Sequence, residues 1–126
     1  MLFGNSIIEK IVAHLMIIHN ELGSGLSDKI YKLAGEVEFK NTDFDFYIDK
    51  EFNITYKNVK IGDFKVNGGI INNKILIKFL SVTDFDKRHY KEQIISQMKA
   101  SKTPIGILAN YGKSSFQWRK IELFLE

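Results

Sequence analysis

The histidines and carboxylates are the first side chains to test for catalytic or metal-binding chemistry. His14 and His19 are five residues apart on a predicted helix, which separates them by roughly 140° around its axis. His89 belongs to another element, so the three imidazoles lack the spacing of a metal site. The absence of cysteine excludes disulfides, thiolate ligands and cysteine nucleophiles. We therefore expect no metal and no cofactor.

A second chemically interesting group is the basic set Lys87, Arg88 and Lys91, which surrounds His89 and Tyr90 on a predicted helix. Such cations can follow a nucleic-acid backbone while the tyrosine stacks on a base. Acidic residues interrupt the set, and the alternative interpretation is the solvated face of an amphipathic helix.

The stretch Glu36–Glu51 combines six carboxylates and two lysines with several aromatic side chains. Its charge would repel a phosphate backbone on that side of the protein. We expect the aromatic region Asp43–Phe52, with Phe46 and Tyr47 at its centre, to contact a protein partner or a second copy of the chain.

Composition and charge indicate one folded domain, residues 1–126. The chain of 126 residues contains 44% hydrophobic and 13% aromatic residues, which excludes disorder. No apolar run is long enough to span a bilayer and no signal peptide is evident, so we expect a cytoplasmic protein without a membrane partner. The formal charge of +3 rests on sixteen lysines and two arginines. Because bidentate phosphate recognition favours arginine, this charge alone does not predict a nucleic-acid partner.

Three helices follow from apolar periodicity and capping residues. They are predicted over Ser6–Glu21, from Ser27 to Lys40, and from an N-cap at Thr83 to Ser101. Strands begin after Phe44. Phe64–Ile71 and Lys74–Leu80 are predicted to form a β-hairpin, because Asn72-Asn73 is typical of its tight turn, and Asn67-Gly68-Gly69 is a competing turn.

The remaining strands follow the third helix and complete the predicted order α-α-β-β-β-α-β-β. Ile105–Ala109 has the continuous apolar pattern of a buried strand, and Phe116–Phe124 has the alternation of a strand with one exposed face. This order predicts an α/β sandwich.

The segment Glu21–Tyr31 (ELGSGLSDKIY) resembles the helical opening of the GxxExxR proteins, a branch of the PD-(D/E)XK nuclease-like superfamily. Asp28 stands where that pattern usually has a glutamate. Phe52–Ile61 resembles the first strand pair of the family, and Gly106–Gly112 (GILANYG) resembles its closing segment. The resemblance covers almost the whole chain and implies a restriction-endonuclease-like fold, in which helices flank a mixed central sheet.

The same resemblance implies where a nuclease site would lie. In that superfamily an Asp on one hairpin strand and a Glu-x-Lys on the next hold Mg²⁺ and activate water. Here Gly68 stands at the Asp position, Lys78 at the Glu position and Leu80 at the Lys position. Residues 64–83 contain no Asp or Glu, so a shifted alignment does not restore the signature.

Glu38 and Gln93 match two further family positions, an acidic residue near the end of the second helix and a helical glutamine. With Lys78 in place of a metal ligand, divalent-cation affinity should collapse, because the ammonium repels the ion. Lys78 has three alternative roles, which are pairing with Glu38, binding a phosphate oxygen, and extending to solvent.

We therefore expect a catalytically inactive nuclease-like protein that acts as a binding or scaffolding module, through self-association or a protein partner. One alternative is nucleic-acid binding without cleavage. The cations for that function are Lys78, Lys87, Arg88 and Lys91. The other alternative is a metal-dependent nuclease with relocated ligands, for example Glu38 with Asp63.

Overall fold

The computed structural model describes residues 5–124. The helices are α1 (Asn5–Leu22), α2 (Asp28–Lys40) and α3 (Arg88–Ser101). The strands are β1 (Phe46–Ile48), β2 (Glu51–Tyr56), β3 (Val59–Lys65), β4 (Gly69–Ile71), β5 (Ile75–Leu80), β6 (Ile105–Asn110) and β7 (Gln117–Glu122). Residues 1–4 and 125–126 of the predicted domain lie outside this range. No helix in the described part is long and apolar enough to cross a membrane.

Five strands form one mixed sheet in the order β1-β4-β5-β6-β7, and β2 and β3 form a separate hairpin. Strands β5 and β6 are parallel and are joined through α3, whereas the other neighbours in the sheet are antiparallel. A parallel pair needs such a crossover, which accounts for the position of α3. The predicted α/β fold with a mixed central sheet and flanking helices is confirmed.

The central strand β5 separates two apolar cores. Ile75, Ile77 and Phe79 pack into the core that contains the apolar face of α1 and the buried side of α2. Leu76 and Leu80 alternate with them and pack into the second core, with residues of α3. All six residues of β5 are buried, as expected for a strand covered on both faces.

A tyrosine pair holds the turn between α1 and α2 against the end of β6. The rings of Tyr31 and Tyr111 stack with their centroids 4.2 Å apart. The Tyr31 hydroxyl donates to the Gly23 carbonyl at 2.7 Å and accepts from the Leu26 amide at 3.1 Å. The Tyr111 hydroxyl donates to the Leu15 carbonyl at 2.8 Å. The start of α2 is thereby fixed relative to the central sheet.

Local sequence signals predicted several elements closely. The first two helices end within one or two residues of their predicted bounds. Asn72 and Asn73 both have φ near +55°, and they connect β4 to β5 in the predicted hairpin. Asparagine tolerates this left-handed conformation, which type I′ turns require at both central residues.

Two strand predictions were wrong. The predicted strand Phe64–Ile71 is interrupted at residues 66–68, so that β3 pairs with β2 while β4 joins the central sheet. The short strand β1 was not predicted, because it is stabilised by pairing with the distant β4 rather than by a local pattern. The described order is therefore α-α-β-β-β-β-β-α-β-β, with five strands ahead of α3.

The predicted N-cap of α3 was also wrong. The helix starts at Arg88 with Lys87 as N-cap, not at Thr83. Phe85 is buried in the second core, and the Lys87 amide donates to the Asp84 carbonyl in a turn ahead of the helix. Burial of Phe85 thus takes precedence over the capping signal of Thr83.

The predicted aromatic docking region is half-buried to exposed, and its phenylalanines pack in part against the first core. Phe46 stacks on Phe39 with ring centroids 4.9 Å apart, and its ring lies where a Cβ on Gly69 would be. Phe44 packs edge-on against Phe39 and belongs to the same core. Tyr47 points the other way and is 56% exposed. Phe46 therefore contributes to the fold as well as to the groove it lines with Tyr47, and the external contact predicted for this region stays a prediction.

Replacement of Phe46 should therefore destabilise the fold. We expect Phe46→Ser to lower the free energy of unfolding by about 2–4 kcal/mol, because the stacked ring leaves a cavity. The matched variant Tyr47→Ser should change it by less than about 0.5 kcal/mol. Chemical denaturation of both variants measures the difference, and equal stabilities would contradict the packing described for Phe46.

Candidate functional site

A cleft of about 520 Å³ lies between the β2–β3 hairpin, strand β5 and helix α3. The central strand contributes the Lys78 side chain to the lining. The α3 residues in the lining lie on one face of the helix, at intervals of three or four residues. The lining residues are Ile54, Asp63, Phe64, Asn67, Lys78, Gln93, Ser96, Gln97 and Ala100. The cleft thus combines one buried cation and one carboxylate, that of Asp63, with amide, hydroxyl and apolar groups.

Lys78 is the charged residue of β5 and is only 7% exposed. Burial lowers the pKa of its ammonium, the nearby Asp28 carboxylate partly offsets this effect, and the Lys32 ammonium adds to it. Among the described residues, no carboxylate forms an ion pair with Lys78. The cation therefore faces the cleft without a direct counter-charge.

Gln97 presents an unpartnered acceptor in the same cleft. Its Oε1 atom is buried and has no hydrogen-bond partner among the described residues. Buried amide oxygens usually have a partner, since leaving one unpaired costs free energy. A ligand group could satisfy this oxygen only after the Gln97 side chain turns towards the cleft.

The backbone at Gly68 leaves no room for a side chain. Its φ is +157°, and a Cβ would lie 2.2 Å from the Ile77 carbonyl oxygen. The preceding residue, Asn67, lines the cleft instead and accepts a hydrogen bond from the Lys32 ammonium at 3.2 Å. Asn67 was missed because the comparison with the family pattern allowed no extra residue between β4 and β5. With one extra residue there, Asn67 rather than Gly68 would stand at the Asp position.

Glu38 and Leu80 lie away from this cleft. The Glu38 carboxylate is bonded to the His14 ring nitrogen of α1 at 2.7 Å, not to Lys78. Leu80 is buried in the second core and borders a different depression at the start of α2. Of the five predicted positions, Lys78 and Gln93 line one cleft, and Gly68 adjoins it through its backbone.

Asp28 is the carboxylate that acts electrostatically on Lys78. It is the first residue of α2, where a negative charge also favours the helix dipole. Lys32 lies one turn later and bridges the Asp49 carboxylate, at 2.8 Å, to Asn67. The sequence already indicated Asp28 as a site residue, because the family pattern that Glu21–Tyr31 resembles has a glutamate at this position.

The basic set of α3 does not extend the Lys78 cleft. Lys87 pairs with Asp84 at 3.2 Å, and Arg88 is the exposed first residue of the helix. Lys91 lines a second cleft of about 430 Å³ together with residues of β7, among them Trp118, Arg119 and Lys120.

These β7 cations were not predicted as neighbours of Lys91, because only the β6–β7 pairing brings them there. Arg119 pairs with Asp86, and Lys120 pairs with Glu122 at 3.0 Å. Their charges are thus partly compensated within the chain.

The donor set of the Lys78 cleft does not fit a divalent cation. Mg²⁺ requires an octahedron of oxygen ligands, usually including one or two carboxylates. Asp63 is the carboxylate in the lining, and it pairs with Lys60 at 3.2 Å. The described residues contain no cluster of three or more His, Cys, Asp or Glu arranged for a metal.

Comparison with known proteins bears directly on the family. A family model described as the PD-(D/E)XK nuclease superfamily matches residues 5–121. No curated protein and no solved structure matches the chain. The narrower resemblance to the GxxExxR branch stays a prediction. Because the family model spans nearly all of the sequence, the chain belongs to the PD-(D/E)XK nuclease superfamily.

Proposed function

We propose that this nuclease-like domain binds the phosphate backbone of a nucleic acid in the Lys78 cleft and does not cleave it. The observation that carries the proposal is the buried Lys78 ammonium, which faces the cleft without an ion-pair partner. It stands where the family resemblance places a metal-binding glutamate.

Loss of cleavage follows from electrostatics at that position. Two positive charges a few ångströms apart repel each other strongly in a partly dehydrated cleft, so an ammonium at this place disfavours Mg²⁺. Asp63 alone, already paired with Lys60, supplies too few ligands. Glu38 is engaged by His14 and does not line the cleft, which argues against the relocated pair Glu38 and Asp63.

Anion binding follows from the cost of burying an uncompensated charge. An ammonium removed from water loses solvation energy unless an opposite charge replaces the water. A phosphate oxygen would supply that charge and raise the lowered pKa of Lys78. Gln93, Gln97 and Ser96 can then bond to sugar or base groups beside the phosphate.

The scaffolding function predicted for Asp43–Phe52 has less support, since Phe44 and Phe46 are half-buried against the core and Phe46 stacks on Phe39. The set Lys87, Arg88 and Lys91 lies outside the Lys78 cleft. We retain these three cations as an auxiliary surface that steers a polyanion at long range.

Binding can be measured by fluorescence anisotropy with labelled single- and double-stranded oligonucleotides of DNA and RNA. We expect affinity that falls as salt rises, and a loss of about tenfold or more in Lys78→Met, which removes one charged hydrogen bond. The matched variant Lys99→Met, on the exposed side of α3, should bind nearly as the wild type does. No binding at low salt, or equal losses in the two variants, would contradict the proposal.

Cleavage is tested by incubating the same oligonucleotides with the protein and Mg²⁺ or Mn²⁺. We expect the substrates to remain intact, because the cleft lacks the carboxylates that hold a catalytic ion. Metal-dependent cleavage that disappears in Glu38→Gln or Asp63→Asn would refute the proposal and establish the relocated site.

Lys78→Met should also stabilise the free protein, by about 1–3 kcal/mol near neutral pH, because it removes a buried unpaired charge. The pKa of Lys78 is lower in the folded state than its ordinary value of 10.5. At any pH between the folded-state pKa and 10.5, the unfolded chain therefore binds more protons than the folded one. Wild-type stability therefore gains from rising pH in that window, and the advantage of the variant shrinks towards pH 10.5. Urea denaturation at several pH values measures this; a constant difference would show that Lys78 is not desolvated.

A further inference from the structure

The outer face of α2 carries an apolar stripe that nothing in the described chain covers. Its members are Leu26, just before the helix, and Ile30, Leu33 and Val37 within it, with exposures between 39% and 70%. They lie opposite the face of Tyr31, Gly35 and Phe39, which packs into the core. Within the helix, Ile30, Leu33 and Val37 are spaced three and four residues apart, as in the contact seam of a two-helix coiled coil, and Leu26 extends the stripe from the segment before the helix.

We infer that α2 forms the interface of a two-fold symmetric homodimer in which the two copies of the helix pack antiparallel. Antiparallel pairing that fills the seam places Ile30 against Leu33 of the second copy, and Leu26 against Val37 of the second copy. Each apolar residue of the stripe then meets another one.

The charges beside the stripe select this direction. In the antiparallel register the exposed Lys29 lies across from Glu36 of the second copy, and symmetry generates this pair twice. In a parallel register the same two positions would face Ala34 and Asn41, with no opposite charge. In antiparallel packing the dipoles of the two helices also point in opposite directions, so that their interaction is favourable. Small residues, Ser27 and Ala34, line the other flank and permit close approach of the helices.

The shape of the neighbouring surface fits the same register. Val37 borders a groove of about 480 Å³ that also includes Phe44 and the exposed Tyr47. Leu26 of the second copy would lie at this groove and bury apolar surface beyond the helix pair. This extends the contact to part of the region Asp43–Phe52, with Tyr47 rather than Phe46 as its accessible ring.

The interface is small. A helix of 13 residues is about 20 Å long, and such a stripe covers less than the roughly 800 Å² per partner of a standard interface. We therefore expect a weak dimer, with a dissociation constant of about 10 µM or higher, that forms as the protein concentration rises. The interface does not depend on the ligand proposed for the Lys78 cleft.

Sedimentation velocity of the full chain between about 1 and 500 µM tests the proposal, since this range spans the expected constant. We expect the mean mass to rise from monomer to dimer, and Val37→Glu to hold the protein monomeric throughout. Ile61→Glu is the matched control, because Ile61 is equally exposed at 63% but lies on β3. A wild type that stays monomeric, or equal effects of the two variants, would overturn the interface.

A charge exchange tests the antiparallel register. Lys29→Glu alone and Glu36→Lys alone should each weaken dimerisation about three- to tenfold, because each places like charges together twice. The double variant Lys29→Glu, Glu36→Lys should restore the wild-type affinity. Both sites are exposed, so circular dichroism should show unchanged folding. Failure of the double variant to recover would overturn this register.

Discussion

Burial of β5 on both faces is the constraint on which the candidate site depends. The strand lies in the middle of the sheet, with one apolar core on either side. Any side chain of this strand must therefore enter a region of low polarity, and Lys78 does so as a cation. The Gly68 backbone passes close to the Ile77 carbonyl of β5, and the β2–β3 hairpin lines the other side of the cleft that lies over Lys78. The cleft consequently has its most polar group at its most protected point.

The parts of the fold that were predictable are those whose information is local. The Gly-containing turn after α1, the N-cap position of Ser27 ahead of α2 and the Asn72-Asn73 turn each restrict a few consecutive dihedral angles. The separation of β3 from β4 is set by two different pairing partners, which no short window contains. The start of α3 depends on the burial of Phe85, a tertiary effect that overrides a favourable cap at Thr83.

The site was predictable to a similar extent. Lys78 and Gln93 were identified together because the family pattern fixes their strand and helix. Asn67 required the exact backbone path around Gly68, and Gln97 required knowledge of which α3 face points inward. Glu38 was selected because it matched an acidic position of the family pattern, but its carboxylate bonds to His14, and Asp28 is the carboxylate that acts on Lys78.

The anchoring of α1 by Tyr111 has a consequence for biosynthesis. The Tyr111 hydroxyl bonds to the Leu15 carbonyl, 96 residues earlier in the chain. During translation the helical hairpin leaves the ribosome long before its anchor exists, and closing so large a loop is entropically slow. The part of its apolar surface that packs on β6 and Tyr111 therefore stays uncovered until those residues have been synthesised. Such transiently exposed apolar surface favours aggregation of the growing chain.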